Sequence, residues 1–133
     1  DEPKDFYQQL KKNFAQAQER IYISSLYLGT EQHETELIEA IRTALKRNAR
    51  LRLVVLLDHL RGLRIDNHQK KLTSTSMFEP LINEFPSQVR FYLFHTPLLH
   101  GVLKKFLPNR INESWGVQHM KIYLADNKLI ISG

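Results

Sequence analysis

Residues 51–58 read LRLVVLLD, and this run decides the fold. Leu53 to Leu57 is unbroken apolar sequence of strand length. Such a run suits a strand covered on both faces, which is the habit of parallel sheets. It falls well short of the ~18 residues that a membrane-spanning helix needs. Working upstream, residues 34–48 place Leu37, Ile38, Ile41, Ala44 and Leu45 on one helical face. Before them, residues 20–28 (RIYISSLYL) are rich in β-branched and aromatic residues and read as a strand, broken by Gly29-Thr30. Residues 5–20 return to helical spacing, with Phe6, Tyr7, Leu10, Phe14 and Ala17 recurring; Pro3 sits where a first-turn proline is tolerated. Downstream, residues 59–73 are polar and basic and read as a loop. A short helix over 76–85 stops near Pro86, and 89–95 (VRFYLFH) form a third strand. Residues 96–116 are irregular. Two final strands, 120–125 and 128–131, meet at an Asp126-Asn127 turn. Strands that alternate with helices predict an α/β fold with a mostly parallel sheet flanked by helices. The closing hairpin makes that sheet mixed.

Composition bounds the rest. The chain has 133 residues, 42% hydrophobic and 25% charged, ordinary values for one globular domain. It contains no cysteine, which excludes disulfides and thiolate-metal sites. The net charge of +5 favours anionic partners: phosphate esters, nucleic acid or an anionic membrane surface. The sequence stops at Ser132-Gly133, inside the strand-like run Leu129–Ile131. The expectation is a single lobe over residues 1–133, truncated after Gly133.

Chemistry concentrates in residues 117–133, VQHMKIYLADNKLIISG. His119 and Lys121 are two apart at a strand entrance, so both side chains leave one face. Met120, Ile122 and Leu124 then point the other way, towards apolar packing. An imidazole beside a fixed cation suits attack on phosphorus. The imidazole can bond to phosphorus, and the ammonium can neutralise charge on the non-bridging oxygens. Asp126 lies beyond the strand end. In a phosphoryl-transfer site such a carboxylate would hold an imidazole nitrogen and fix its tautomer.

The spacing His119-x-Lys121-x4-Asp126-x6-Gly133 resembles the signature of the phospholipase D superfamily. Four segments narrow the resemblance: SSLYLG (24–29), LLDHLRG (56–62), FHTPLL (94–99) and the motif itself. In order and content they are similar to the mitochondrial CDP-diacylglycerol–glycerol-3-phosphate 3-phosphatidyltransferases, in their N-terminal half. The resemblance implies one lobe of a phospholipase-D-like fold and a metal-free reaction with no cofactor. In it, His119 would attack the phosphatidyl phosphorus of CDP-diacylglycerol and CMP would leave. Glycerol 3-phosphate would then accept the phosphatidyl group, on the way to phosphatidylglycerol and cardiolipin. Lys121 would grip the phosphoryl oxygens and Asp126 would support a histidine. It further implies a peripheral place on the matrix side of the mitochondrial inner membrane.

Enzymes of this superfamily use two such motifs, and this chain carries one. His68 is followed by Lys70, but Thr75 stands where the aspartate would be. The second half-site would come from a missing C-terminal half or from a second copy of the chain. Four residues stand in support. His95 ends a predicted strand, where α/β sheets place ligands, and could contact phosphate or simply bond backbone. Arg61 suits a diphosphate, or solvent. Tyr27 and Ser25 could line the pocket or pack. Residues 97–110 (PLLHGVLKKFLPNR) are amphipathic and basic, as an anionic bilayer surface would require. The alternative within the superfamily is a homodimeric single-motif phosphodiesterase or nuclease. The lipid reaction calls for no nucleic-acid partner.

Overall fold

The computed structural model describes residues 3–26, 32–58, 73–94 and 120–132. In chain order they form α1 (Pro3–Gln16), β1 (Arg20–Ser25), α2 (Gln32–Arg47), β2 (Arg52–Asp58), α3 (Ser74–Glu84), β3 (Val89–Phe94), β4 (Lys121–Ala125) and β5 (Lys128–Ser132). The five strands make one sheet in the order β3-β2-β1-β4-β5. The first three strands run parallel, and β4 and β5 are antiparallel additions beside β1. The expected mixed α/β sheet is therefore present, with the long apolar run as the central strand of its parallel part.

The chain steps from β1 to β2 to β3 in one direction. Right-handed crossovers then put both connecting helices on the same face. The packing agrees: Leu10 and Phe14 of α1, Leu37, Ile41 and Leu45 of α2, and Phe78 and Leu81 of α3 share one core. Against them lie Ile21, Ile23, Leu53, Val55, Leu57, Val89, Tyr123 and Ala125, every second residue of their strands. Each Leu, Ile or Phe fully buried in this way contributes roughly 1.5–3 kcal/mol.

The opposite face departs from expectation. LRLVVLLD predicted cover on both sides. Among the described residues the second face has no helix, and Val54 and Leu56 are only half-buried. Tyr22, Tyr92, Leu129 and Ile131 stand exposed on it, Ile131 at 68%. Met120, Ile122 and Leu124 also turn to this side, where the described residues supply little of the apolar packing expected for them.

Two helix boundaries carry physical reasons. α1 ends at Gln16 rather than near Arg20 because the N–H groups of residues 18–20 are taken by a side chain from the distant hairpin. α3 begins at Ser74, two residues before the expected start. Thr73 caps it: its hydroxyl accepts from the Ser76 N–H at 3.0 Å, and Ser76 Oγ accepts from the Thr73 N–H at 2.9 Å.

Candidate active site

A sheet built this way has two ends. At one end lie the C-terminal ends of β1, β2 and β3 and the start of β4. Lys121 pairs with Ser132 across β5, and Ser24 pairs with Ile122, so Ser25 is the next residue facing Lys121. Ser25 in turn pairs with Leu57. By strand alternation Ser25, Lys121 and Ser132 all turn to the helix-covered face, at its rim. Lys121 is half-buried and forms no ion pair or hydrogen bond with a described residue.

Behind it lies a buried polar group. Tyr123 is two residues along from Lys121 on the same face and is 7% exposed. Burial pushes its phenol up; a hydrogen bond with Ser25 opposes this, and the charge of Glu34 adds to it. Ser25 is fully buried in the core. Glu34 occupies the first turn of α2, on the stripe that continues as Leu37, Ile38 and Ile41 towards the sheet. Its Oε1 accepts the Tyr7 hydroxyl at 2.8 Å. Its Oε2 is buried with no partner. An unpaired buried polar atom of this kind costs about 1–3 kcal/mol, more when charged. Phe6 packs edge-on against Tyr123, and Tyr7 stacks on His33, so the start of α1 closes this corner.

Asp126 is at the other end. Five residue steps along the strand separate it from Lys121, about 16 Å at the usual rise. Its Oδ1 accepts the N–H of Glu19 at 2.8 Å and of Arg20 at 3.1 Å, and its Oδ2 accepts the N–H of Gln18 at 2.9 Å. Its own N–H donates to the Arg20 carbonyl at 2.9 Å. The residue is left-handed, φ 51°, which aspartate tolerates better than most. Burial pushes the carboxyl up, but the N–H groups of Glu19, Gln18 and Arg20 and the Arg20 guanidinium outweigh it and hold it below the ordinary carboxylate range. Among the described residues no imidazole bonds this carboxylate. The carboxylate is committed to the α1–β1 backbone, a strand's length from Lys121.

Of the other expected site residues, Ser25 lies at the Lys121 end as a buried partner of Tyr123. His119, His95, Arg61 and Tyr27 lie outside the described residues, as does the basic segment 97–110. Glu34, Tyr7 and Tyr123 were missed. The available signal was Glu34 itself, a carboxylate on the first rung of an otherwise apolar helical stripe. No group of three or more His, Asp or Glu among the described residues could hold a metal ion. A groove of about 390 Å³ between α1 and α2, lined by Lys11, Glu36 and Thr43 among others, includes none of these site residues.

No protein-family model matches the chain. Among curated proteins it is 46% identical over 132 residues to the CDP-diacylglycerol–glycerol-3-phosphate 3-phosphatidyltransferase of Schizosaccharomyces pombe, covering 99% of this chain. The mitochondrial human enzyme of the same name is 39% identical over 137 residues. The chain spans 25% and 24% of those two relatives, about a quarter of their length. Among solved structures it shares a fold with a phosphatidylserine synthase of Haemophilus influenzae Rd KW20. The TM-score is 0.70 at 22% identity, over 96% of this chain and 26% of that one.

Proposed function

We propose that this chain is one lobe of a phosphatidyltransferase that moves the phosphatidyl group of CDP-diacylglycerol to glycerol 3-phosphate and releases CMP. The observation that carries it is the likeness of nearly the whole of this chain to part of enzymes named for this reaction, joined to a Lys121 with no partner among the described residues at the sheet end where the HxK strand begins. In the first step an imidazole nitrogen of His119 bonds to the phosphatidyl phosphorus as the bond to CMP breaks. In the second a glycerol 3-phosphate hydroxyl displaces the histidine and gives up its proton. Lys121 neutralises the oxygens around phosphorus in both steps. The group that protonates CMP and takes the acceptor's proton would be a second histidine, from the remainder of a longer chain or from a second copy.

The relatives' names also support a mitochondrial setting. The finer placement, peripheral on the matrix side of the inner membrane, rests on the amphipathic basic residues 97–110. No described helix is long and apolar enough to cross a membrane.

The test is CMP release from CDP-diacylglycerol in mixed micelles with EDTA, with and without glycerol 3-phosphate, for the chain and for His119→Ala. Release that needs both His119 and the acceptor is the expected result. Release that survives His119→Ala, or activity confined to DNA, would overturn it.

A further inference from the structure

We propose that Glu34 is a hydroxyl-binding residue of this site, its Oε2 accepting a hydrogen bond from a polyol hydroxyl of a substrate. The proposal deepens the phosphatidyl-transfer reading and rests on it. Three observations carry it. Glu34 stands where the helical stripe calls for an apolar side chain, and it is 7% exposed. One of its oxygens is satisfied by Tyr7 while the other is buried without a donor. Its partner Tyr7 packs on Phe6, whose ring meets Tyr123, and the strand of Tyr123 also presents Lys121 two residues away on the same face.

Charge and size then choose the ligand's chemistry. A carboxylate repels phosphate, so phosphoryl groups go to Lys121 and not to Glu34. The oxygen is buried in this structure, so a ligand reaches it only when the corner around Tyr7 gives way, and a small neutral donor is the group least costly to bring there. Alcohol hydroxyls meet both conditions, and the reactants offer two sources: the glycerol of the acceptor and the ribose of the leaving nucleotide. In either case the ligand would be oriented by its two ends, anion on Lys121 and hydroxyl on Glu34. Carboxylate acceptors discriminate strongly against analogues that lack the hydroxyl, because the buried oxygen is then left unpaired.

The test is a binding cycle, read by calorimetry or by tyrosine and backbone shifts, on the chain and on Glu34→Ala and Glu34→Gln. The probes are glycerol 3-phosphate against 3-hydroxypropyl phosphate, which lacks the secondary hydroxyl, and CMP against deoxycytidine monophosphate. The expected result is a preference of about tenfold for one hydroxylated member, lost in Glu34→Ala and partly kept in Glu34→Gln. The pair that shows it identifies the source. A preference that persists in Glu34→Ala, or a wild-type chain that shows none, overturns the proposal and leaves an ordered water as the oxygen's partner. Glu34→Gln is nearly isosteric and keeps the test open if the alanine variant fails to fold. CMP release depending on His119 is measured separately, so failure of the transferase reading and failure of the Glu34 assignment give different results.

Discussion

Among the described residues, the two ends of this sheet differ in how their polar groups are paired. At the Asp126 end, backbone and side-chain groups are paired many times over. Asp126 takes three N–H groups, and Arg20 returns bonds to the Asp126 carbonyl and to Asn127, both at 3.2 Å. Arg47 takes the carbonyls of Ala15 and Ala17, Asn48 takes that of Gln18, and Gln88 reaches those of Leu45, Asn48 and Leu51. At the Lys121 end, among the described residues, a cation and a buried carboxylate oxygen both lack a partner. One motif strand joins the two, so its aspartate and its lysine serve different purposes. The fixed end sets the register of β1 against β4, and that register delivers Lys121 to the rim beside Ser25.

The sharpest break of this comparison is Lys121→Met, which keeps the aliphatic stem and removes the charge. If the Lys121 end is reserved for chemistry, His119-dependent CMP release falls by about 100- to 1000-fold, the usual cost of a lost electrostatic stabiliser. The melting temperature stays where it was. A lowered melting temperature would make Lys121 part of the framework and erase the contrast.

Next in size is Asp126→Ala. It strands three N–H groups and removes a residue suited to its left-handed φ. Hydrogen bonds to a charged group are individually strong, but this carboxylate is only partly buried. The expected loss is therefore about 2 kcal/mol in urea unfolding. CMP release per folded molecule should change little, since the residue is a strand's length from Lys121. A folded variant with abolished turnover would return Asp126 to the catalytic group.

How much of this could be seen in the sequence follows the same division. Periodicity gave every described strand and helix, because alternation in 21–25 and the 37-38-41-45 stripe are local properties. The HxK spacing placed Lys121 at a strand entrance for the same reason. What periodicity could not carry was distance along a strand. Asp126 sits close to His119 in a motif, yet strand geometry puts it at the far end, bonded to residues 106 to 108 positions away. The half-buried state of Val54 and Leu56 was equally hidden, since a half-buried valine and a fully buried one look alike in sequence. Glu34 escaped because a single acid in a helix is ordinarily a solvated residue.

Glu34→Leu tests the contrast from the opposite direction. Removing a group whose second oxygen is buried and unpaired should raise stability, by about 1 kcal/mol, once the lost Tyr7 bond is set against it. Tyr7 is itself half-exposed, so water can replace part of what its hydroxyl loses. Thermal unfolding should thus move up for Glu34→Leu and down for Asp126→Ala. Two shifts of the same sign would mean that the two ends are not built on different terms.

The smallest effect is a pH dependence confined to the Asp126 end. Its folded carboxyl lies below the ordinary value of 3.8, because the N–H groups it accepts outweigh the cost of burial. The folded state therefore binds fewer protons than the unfolded state across that window. The resulting stability is complete above the unfolded value and is lost as pH falls through the folded one. Asp126→Asn cannot titrate, and keeps one acceptor oxygen. It should be less stable than the wild type at neutral pH, and the gap should close below about pH 4. Urea midpoints for both proteins, taken down the acid limb, measure this directly. Because the carboxylate is partly exposed, the closing should be modest and should shrink further in salt. Curves that stay parallel would show that geometry alone, without charge, holds β1 to the hairpin.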